Sequence, residues 1–200
     1  MSDRAQAFTL EAFVAAVLLV STLTFALQAV AVDANTASSA EAELRGQHGG
    51  VAEGLLDGAV ESGSLQSTLL YWDESNERFL DADEEEGFYL SRSPNTTFGR
   101  SLARLFDDQR IRYNVDLHYQ GADGERETRR LVEYGTPSQD AVRVTETVTL
   151  YDDSTLVTRN ESRRANATLE SVEPDFYAPD ASDDTQLYNV IRVEVVLWRT

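Results

Sequence analysis

The side chains best suited to chemistry in this sequence are two histidines and a large number of carboxylates. His48 lies in a glycine-rich stretch, and His118 occupies a polar position of an alternating run. Neither has a second histidine at a spacing such as i, i+4, so the sequence does not support a metal site built from histidines. The carboxylates are too numerous for any pair to stand out as an acid–base dyad, and no nucleophile elbow or phosphate-binding loop is present. We therefore expect no catalytic residues, no metal and no cofactor.

The densest acidic run, DADEEE at 81–86, contains enough carboxylate oxygens to attract a hard cation such as Ca²⁺. It lacks the ligand spacing and the central glycine of a calcium-binding helix–loop–helix motif. A solvated acidic loop accounts for the same residues, and we expect that arrangement.

Three Asn-x-Ser/Thr sequons make up a further set of candidate sites. They begin at Asn95, Asn160 and Asn166, and none has proline in the middle position. All three fall in predicted loops or strand ends, where an attached glycan would lie in solvent, so these asparagines are candidates for N-glycosylation. Chance occurrence in a threonine-rich chain is the alternative explanation.

The charge of the chain is extreme, with 35 acidic against 17 basic residues and a net charge of −18 at pH 7. Apart from the two histidines, every basic residue is an arginine, and cysteine is absent. Such acidity opposes binding to nucleic acid, because the phosphates would be repelled. Carboxylates spread through segments rich in valine, leucine and tyrosine indicate a folded halophilic protein, since concentrated salt screens self-repulsion. A disordered acidic tail is the alternative.

An uncharged apolar run at 12–32 determines the expected localisation. As a helix it would span about 30 Å, the thickness of a bilayer core, whereas the apolar region of a cleaved secretory signal has only about 7–15 residues. Arg4 precedes the run and the next basic residue is Arg45, so the positive-inside rule places the N-terminus in the cytoplasm. We expect a single-pass protein of the cell membrane with an extracellular C-terminal domain.

The residues in front of this run form a motif, in which Arg4-Ala5-Gln6 is followed by Ala7-Phe8-Thr9-Leu10-Glu11. This motif resembles the class III signal peptide of type IV pilin-like proteins, a family with bacterial and archaeal members. The resemblance implies that a prepilin peptidase cuts on the cytoplasmic side of the apolar run and leaves that run in the mature protein. It also implies that other pilin-like subunits are partners in assembly.

The resemblance leaves three positions open for the cut. A cut before Phe8 makes Glu11 the fourth residue of the mature chain, and a cut between Gln6 and Ala7 makes it the fifth, as in the bacterial motif. The archaeal preference for a basic residue plus Gly or Ala favours a cut between Ala5 and Gln6, which makes Glu11 the sixth. The candidate processing residues are therefore Arg4, Ala5, Gln6, Ala7 and Phe8.

Glu11 is the candidate assembly residue, because it lies directly before the apolar run. Cleavage would free an α-amino group close to it, and a carboxylate in apolar surroundings is costly unless it is paired. Pairing between Glu11 and the amine of a neighbouring subunit would set the register of the two chains. An unpaired Glu11 at the lipid interface is the alternative.

The sequence divides into a cytoplasmic leader at 1–11, a transmembrane helix at 12–32, a helical stalk at 33–72 and an acidic extracytoplasmic head at 73–200. Within the stalk, glycines recur every four residues and form a glycine stripe at Gly46, Gly50, Gly54 and Gly58. The stripe indicates either close approach to another helix or a loosely helical connector, since each mid-helix glycine costs about 1 kcal/mol relative to alanine.

After a short predicted helix at 101–108, the hydrophobic period changes to two. The alternation predicts strands at 111–119, 127–134, 141–151, 155–160 and 188–198, with an Asp123-Gly124 turn between the first two. A long N-terminal transmembrane helix followed by an antiparallel β-sheet head is an α+β fold. The pilin resemblance implies the same layout.

Three functions are compatible with these features. The first is a pilin-like structural subunit, anchored by its N-terminal helix, processed, and assembled into a surface filament or a pilus-related machine. The second is a single-pass surface protein whose acidic β domain binds a partner or ligand without polymerising. The third is a membrane-anchored enzyme, which a pocket with convergent polar groups on the sheet would support.

Overall fold

A computed structural model describes residues 15–20, 22, 46–182 and 184–199. The chain divides into two units, Met1–Leu44 and Arg45–Thr200. In the first unit the described residues are helical, and in the second the chain begins with helical residues 46–61, which we call α1. The other helices are α2 (Ser64–Leu69), α3 (Thr97–Phe106) and α4 (Leu169–Val172), with a 3-10 turn at Asp107–Gln109.

The strands follow one another through the rest of the second unit. They are β1 (Trp72–Asp73), β2 (Arg78–Phe79), β3 (Tyr89–Leu90), β4 (Ile111–Gln120), β5 (Arg126–Glu133), β6 (Val142–Tyr151), β7 (Thr155–Val157), β8 (Arg163–Thr168) and β9 (Leu187–Arg199). Five of them form the main sheet in the order β3-β5-β4-β9-β6. There β3 runs parallel to β5, and the other neighbours are antiparallel. The C-terminal strand β9 therefore lies near the middle of the sheet, while β1-β2 and β7-β8 form separate pairs.

Alternation along the strands gives the main sheet one apolar face, which we call the inner face. Val115 lies opposite Val195, and Leu117 lies opposite Val193, so the apolar residues of β4 and β9 share this side. Helix α1 packs against it through Ala52, Leu56 and Ala59, all of which belong to the main core. The approach is close, because a Cβ atom at Gly49 would lie 3.2 Å from a methyl carbon of Val142.

Two local features set the helix boundaries. Gly63 has φ +72, a left-handed conformation that favours glycine, and it separates α1 from α2. Helix α3 begins after Thr96, whose buried hydroxyl accepts a hydrogen bond from the Gly99 amide and another from Thr68. A Cβ atom at Gly99 would lie 2.1 Å from the Pro94 carbonyl oxygen, so this first turn has room only for glycine.

An aromatic cluster closes the core next to β5. The indole of Trp72 packs edge to face with Phe79 and Tyr177, at ring-centroid distances of 5.1 and 5.3 Å. The guanidinium of Arg129 lies 4.6 Å from the Trp72 ring centroid and donates a hydrogen bond to the Glu77 carbonyl oxygen. Burial lowers the pKa of Arg129. This arginine is therefore a packing residue, although its neighbours in β5 face solvent.

The expected α+β fold with a long N-terminal transmembrane helix is wrong. The part of the chain that the structure describes is mainly β-sheet with short helices. Within the same ranges, no helix combines the length and apolar character required to cross a bilayer. The left-handed conformation at Gly63 also ends α1 where the sequence predicts that one helix continues to residue 72. Of the predicted transmembrane segment at 12–32, all but residues 15–20 and 22 lie outside the described residues.

Most of the individual strand predictions are confirmed, although the predicted fold class is wrong. The strands expected at 111–119, 127–134, 141–151 and 188–198 are confirmed as β4, β5, β6 and β9, and the Asp123-Gly124 turn joins the first pair. The strand expected at 155–160 is shorter, because β7 ends at Val157. The helix expected at 101–108 begins four residues earlier, since Thr96 caps it.

Candidate functional site

The outer face of the main sheet is the candidate site, because the helices among the described residues cover only the inner face. Strand register places directly opposed residues on the same side. Five of the arginines project from this outer face, which we call the arginine face: Arg112, Arg126, Arg130, Arg143 and Arg192. The same face presents three acidic residues on the paired strands, Asp116, Glu133 and Glu194. A locally basic surface therefore exists on a chain whose net charge is −18.

The middle of the arginine face is a network of ion pairs. Arg130 contacts Asp116 at 2.9 Å through Nε and contacts Glu133 at 2.8 Å through Nη1. Glu194 lies opposite Asp116 and is 3.8 Å from Arg143. The hydrogen bonds that Arg130 donates to Asp116 and Glu133 raise the pKa of Arg130. The three carboxylates are thus paired with Arg130 and Arg143 of their own face, and the other arginines of the face take no part in these ion pairs.

One end of the arginine face is open and basic. His118 lies opposite Arg192 on β9 and opposite Thr128 on β5, and its Nδ1 is 2.8 Å from the Thr128 hydroxyl oxygen. A shallow depression of about 290 Å³ is lined by His118 and Arg192 together with Arg126 and Glu125. Within the described part of the chain, neither Arg126 nor Arg192 forms an ion pair. Both guanidinium groups are therefore available to an anion from outside.

The opposite end of the face is covered by the loop that follows β5. The Asn114 side chain donates a hydrogen bond to the Gly135 carbonyl oxygen and accepts one from the Tyr134 amide, each at 2.9 Å. Beneath this loop Val196 and Trp198 are buried, although they lie on the outer side of β9. Arg112 stacks on the Tyr134 ring at 5.3 Å. The accessible part of the face is therefore its middle and its open end.

The open end has the chemistry of a carboxylate- or anion-binding surface. Arginine presents several N–H donors in a planar arrangement that matches a carboxylate.

His118 contacts a threonine hydroxyl instead of a carboxylate, so it lacks the orienting acid of a catalytic triad. In the described ranges, no group of three or more His, Asp or Glu side chains is arranged to hold a metal ion.

The predicted processing and assembly residues lie outside the described part of the chain. These are Arg4, Ala5, Gln6, Ala7, Phe8 and Glu11. The structure therefore places none of them, and the three possible cleavage positions remain predictions.

All three sequon asparagines are exposed, and the fold brings two of the sequons together. Thr97 of the first sequon donates a 2.9 Å hydrogen bond to Glu161, the middle residue of the second. Arg100 bridges them, since it forms a 3.0 Å ion pair with Glu161 and donates a hydrogen bond to the Asn95 carbonyl oxygen. The third sequon begins at Asn166 on β8, which has φ +63.

Most of the carboxylates in the acidic run at 81–86 form ion pairs with arginines of the same chain. Asp81 pairs with Arg159 at 2.8 Å, and Asp83 pairs with Arg92 at 3.2 Å. Burial, followed by the hydrogen bond to Asp81, raises the pKa of Tyr71 to about 12. Although burial opposes ionisation of Asp81, the hydrogen bonds from Arg159 and Tyr71 lower the pKa of its carboxyl group. The run behaves as an ion-paired loop, and nothing in it is arranged around a cation.

The arginine face was not foreseen from the sequence, although a signal for it exists. Arginines occupy the polar positions of four strands predicted from alternation, as Arg112, Arg130, Arg143 and Arg192 do. Their convergence depends on strand order, which brings β9 between β4 and β6. Since strand order is a tertiary property, periodicity alone gives the individual positions and not the surface.

Comparison with known proteins places the chain in a family by its sequence. Neither the curated proteins nor the solved structures contain a match to this chain. A family model described as a family of unknown function, DUF7288, matches residues 4–197, which include the N-terminal motif, the apolar run and nearly the whole of the sheet unit. The chain therefore belongs to the DUF7288 family.

Proposed function

We propose that this chain is a pilin-like structural subunit, held at the cell membrane by the apolar sequence of residues 12–32 and displayed outside the cell. One observation carries the proposal, namely that Arg4-Ala5-Gln6 and Glu11 directly precede an uncharged apolar run. A prepilin peptidase would remove the leader and retain the apolar segment for assembly with other subunits. The work of such a subunit is contact with neighbouring chains, not catalysis.

The sheet unit offers a surface suited to that role. Its arginine face is exposed over the middle and open end, and the depression there is shallow and polar. Enzyme pockets are usually concave, mostly apolar and enclosed enough to exclude water. A broad charged sheet face agrees better with recognition of another macromolecule than with a small-molecule reaction. The broad, shallow face therefore favours the structural subunit over the enzyme.

The identity of the mature N-terminus tests the proposal. Protein purified from membranes of its own cells should lack five to seven N-terminal residues by mass spectrometry, because the possible cuts follow Ala5, Gln6 or Ala7. In the same cells without prepilin peptidase, the leader should remain. An intact Met1 or Ser2 terminus in cells with active peptidase would falsify the proposal and leave a non-polymerising surface protein as the better description.

Glu11→Ala separates assembly from export. Pairing of Glu11 with the new amine of a neighbouring subunit predicts that the variant reaches the membrane and is processed, but yields fewer multimers. Glu11→Gln keeps the size of the side chain and removes the charge, so it should reproduce the loss if pairing is ionic. Wild-type multimer recovery in both variants would exclude the assigned role.

A further inference from the structure

We propose that the arginine face of one copy binds the exposed side of helix α1 in a second copy, so that the sheet units join head to tail. The contact rests on the proposed function, because it supplies the surface through which assembled subunits would meet. The molecule that binds the arginine face is a second copy of this chain.

The exposed side of α1 is acidic. Glu53, Asp57 and Glu61 recur every four residues on it, and residues 46–61 include neither arginine nor lysine. Within the described ranges none of these three carboxylates forms an ion pair. An unneutralised acidic row therefore runs along the helix.

The glycine stripe lies on the same exposed side. A Cβ atom added at Gly50, Gly54 or Gly58 would meet no atom within 4 Å, so these positions face open space. Without side chains here, the long stem of an arginine from another molecule can lie against the helix backbone and reach a neighbouring carboxylate. The stripe thus has no packing role within the described unit, and close approach of another chain gives it one.

The arginine face complements this row in charge. Arg126 and Arg192 form no ion pair within the described part of the chain, and they flank the open depression. Arginine binds carboxylates with paired N–H donors, which gives such contacts geometric specificity. Unneutralised arginines on one surface and unneutralised carboxylates on another make the two surfaces complementary.

The two surfaces lie on opposite sides of one unit. Helix α1 packs on the inner face of the sheet through Ala52 and Leu56, and the arginine face is the outer side of the same strands. A contact between opposite sides cannot be satisfied mutually by two copies. It leaves one free surface at each end, so it propagates from copy to copy unless a ring closes.

The acidic run at 81–86 is the other obvious source of carboxylates. Its Asp81, Asp83 and Glu84 already pair with Arg159, Arg92 and Arg78. In the described ranges Glu85 and Glu86 are the only carboxylates of this run without an ion pair, so a contact that uses the other three would require their pairs to break. The exposed side of α1 requires no such exchange, and for that reason it is the assigned occupant.

Concentrated salt is compatible with this contact. At 1 M salt the Debye length is about 3 Å, so long-range repulsion between acidic copies disappears. Direct hydrogen bonds between guanidinium and carboxylate groups act within that distance. Copies held in one membrane also meet at a high effective concentration, which strengthens a contact that is weak between free molecules.

Site-directed crosslinking of the full-length, detergent-solubilised chain tests the contact, because the native sequence contains no cysteine. One chain carries Val60→Cys, an exposed position of α1 beside the acidic row that leaves the glycine stripe intact. A second carries Thr147→Cys, which lies opposite Arg192 on the arginine face. A third carries Glu85→Cys in the acidic run. Pairs of chains are mixed in about 2 M KCl and treated with a short thiol-specific crosslinker.

The Val60→Cys and Thr147→Cys mixture should give about tenfold more crosslinked dimer between unlike chains than either chain gives with itself. It should also exceed the mixture of Glu85→Cys with Thr147→Cys by a similar factor. Equal yields in all mixtures would overturn the proposal. A preference for Glu85→Cys would assign the acidic run as the occupant and would overturn it as well.

Charge reversal then tests the interaction itself. Arg126→Glu with Arg192→Glu, introduced into the Thr147→Cys chain, should lower the yield about tenfold. Glu53→Arg with Asp57→Arg in the Val60→Cys chain should restore it. Arg104→Glu, an exposed change on α3, is the matched control and should leave the yield unchanged. If a reversed chain fails to fold by circular dichroism, the unreversed mixtures still decide the result.

Failure of this contact can be distinguished from failure of the proposed function. A correctly processed N-terminus without the unlike-chain crosslink rejects the contact alone. The crosslink in a chain that keeps its leader rejects the pilin assignment alone.

Discussion

Arg164 and Glu74 form a two-bond ion pair, in which Nη1 and Nη2 each lie 2.6 Å from a carboxylate oxygen. The pair joins β8 to the turn after β1, so it connects parts of the chain that are distant in sequence. The hydrogen bonds from Arg164 lower the pKa of Glu74. Paired arginine–carboxylate bonds of this kind are the strongest type of surface ion pair.

This pair predicts a pH dependence of stability. Because the pKa of Glu74 is lower in the folded chain than in the unfolded chain, its contribution is complete above the unfolded value of about 4.3. The contribution is lost as the pH falls through the lower folded pKa. Glu74→Gln should therefore reduce the free energy of unfolding by about 1 kcal/mol at pH 7, and the difference should disappear in acid.

Urea unfolding of the full chain at several pH values measures the effect. The control is Glu84→Gln, because Glu84 is 84% exposed where it pairs with Arg78 and its removal should change little. A Glu74→Gln deficit that persists unchanged at acid pH would show that the loss is due to packing and not to ionisation.

Arg129 and Arg126 belong to the same strand, but their removal should affect the stability of the chain very differently. Arg129 stacks on Trp72 and is half-buried, so Arg129→Ala should destabilise the chain by about 2 kcal/mol. Arg126 is exposed and unpaired within the described residues, so Arg126→Ala should change stability by less than about 0.5 kcal/mol. Chemical denaturation of both variants checks this, and near-UV circular dichroism should report the altered Trp72 environment only for Arg129→Ala.

The glycine stripe predicts that stability and assembly change in opposite directions. Gly54→Ala adds a methyl group in open space on a helix, so it should stabilise the monomeric unit by about 0.5–1 kcal/mol. The same methyl group should weaken any close contact made there by another chain. Gly49→Ala is the matched comparison, since its Cβ would lie 3.2 Å from Val142 and the gain should be smaller or reversed. Equal gains at both positions would contradict the packing of α1 on β6.

The charge of −18 predicts a steep dependence of stability on salt. At 0.01 M salt the Debye length is about 30 Å, against about 3 Å at 1 M, so repulsion across the unit is strong only in dilute salt. Total stability of a domain is only about 5–15 kcal/mol, and a modest repulsive term therefore matters. The urea midpoint of the full chain should rise between about 0.1 and 2 M KCl. A flat midpoint would remove the halophilic interpretation.

The exposed sequons predict a mass heterogeneity in protein from its native cells. If Asn95 and Asn160 carry glycans, Asn95→Gln and Asn160→Gln should each reduce the intact mass by one glycan. Since Arg100 and Glu161 bring these sequons together, the two glycans would cover one patch of surface. An intact mass equal to that of the bare polypeptide would show that the sequons are unused.

Several local features of this fold can be predicted from the sequence. The alternation of Tyr113, Val115 and Leu117 with polar residues predicts β4, because a strand buried on one face has a period of two. The Asp123-Gly124 pair predicts the following turn, where Gly124 has φ +83. In both cases the signal lies within a few neighbouring residues, so no distant part of the chain is needed to interpret it.

Tertiary structure decided the rest. The placement of β9 beside β4 brings Arg192 to His118 and Arg126 at one end of the outer face, although Arg192 is more than 60 residues away from both in sequence. The packing of α1 on the inner face puts the glycine stripe and its carboxylates on the opposite side. Local patterns specify which way a side chain points relative to its own strand or helix. Which residues meet across strands depends on long-range pairing, whose energy is shared among many residues and leaves no local signature.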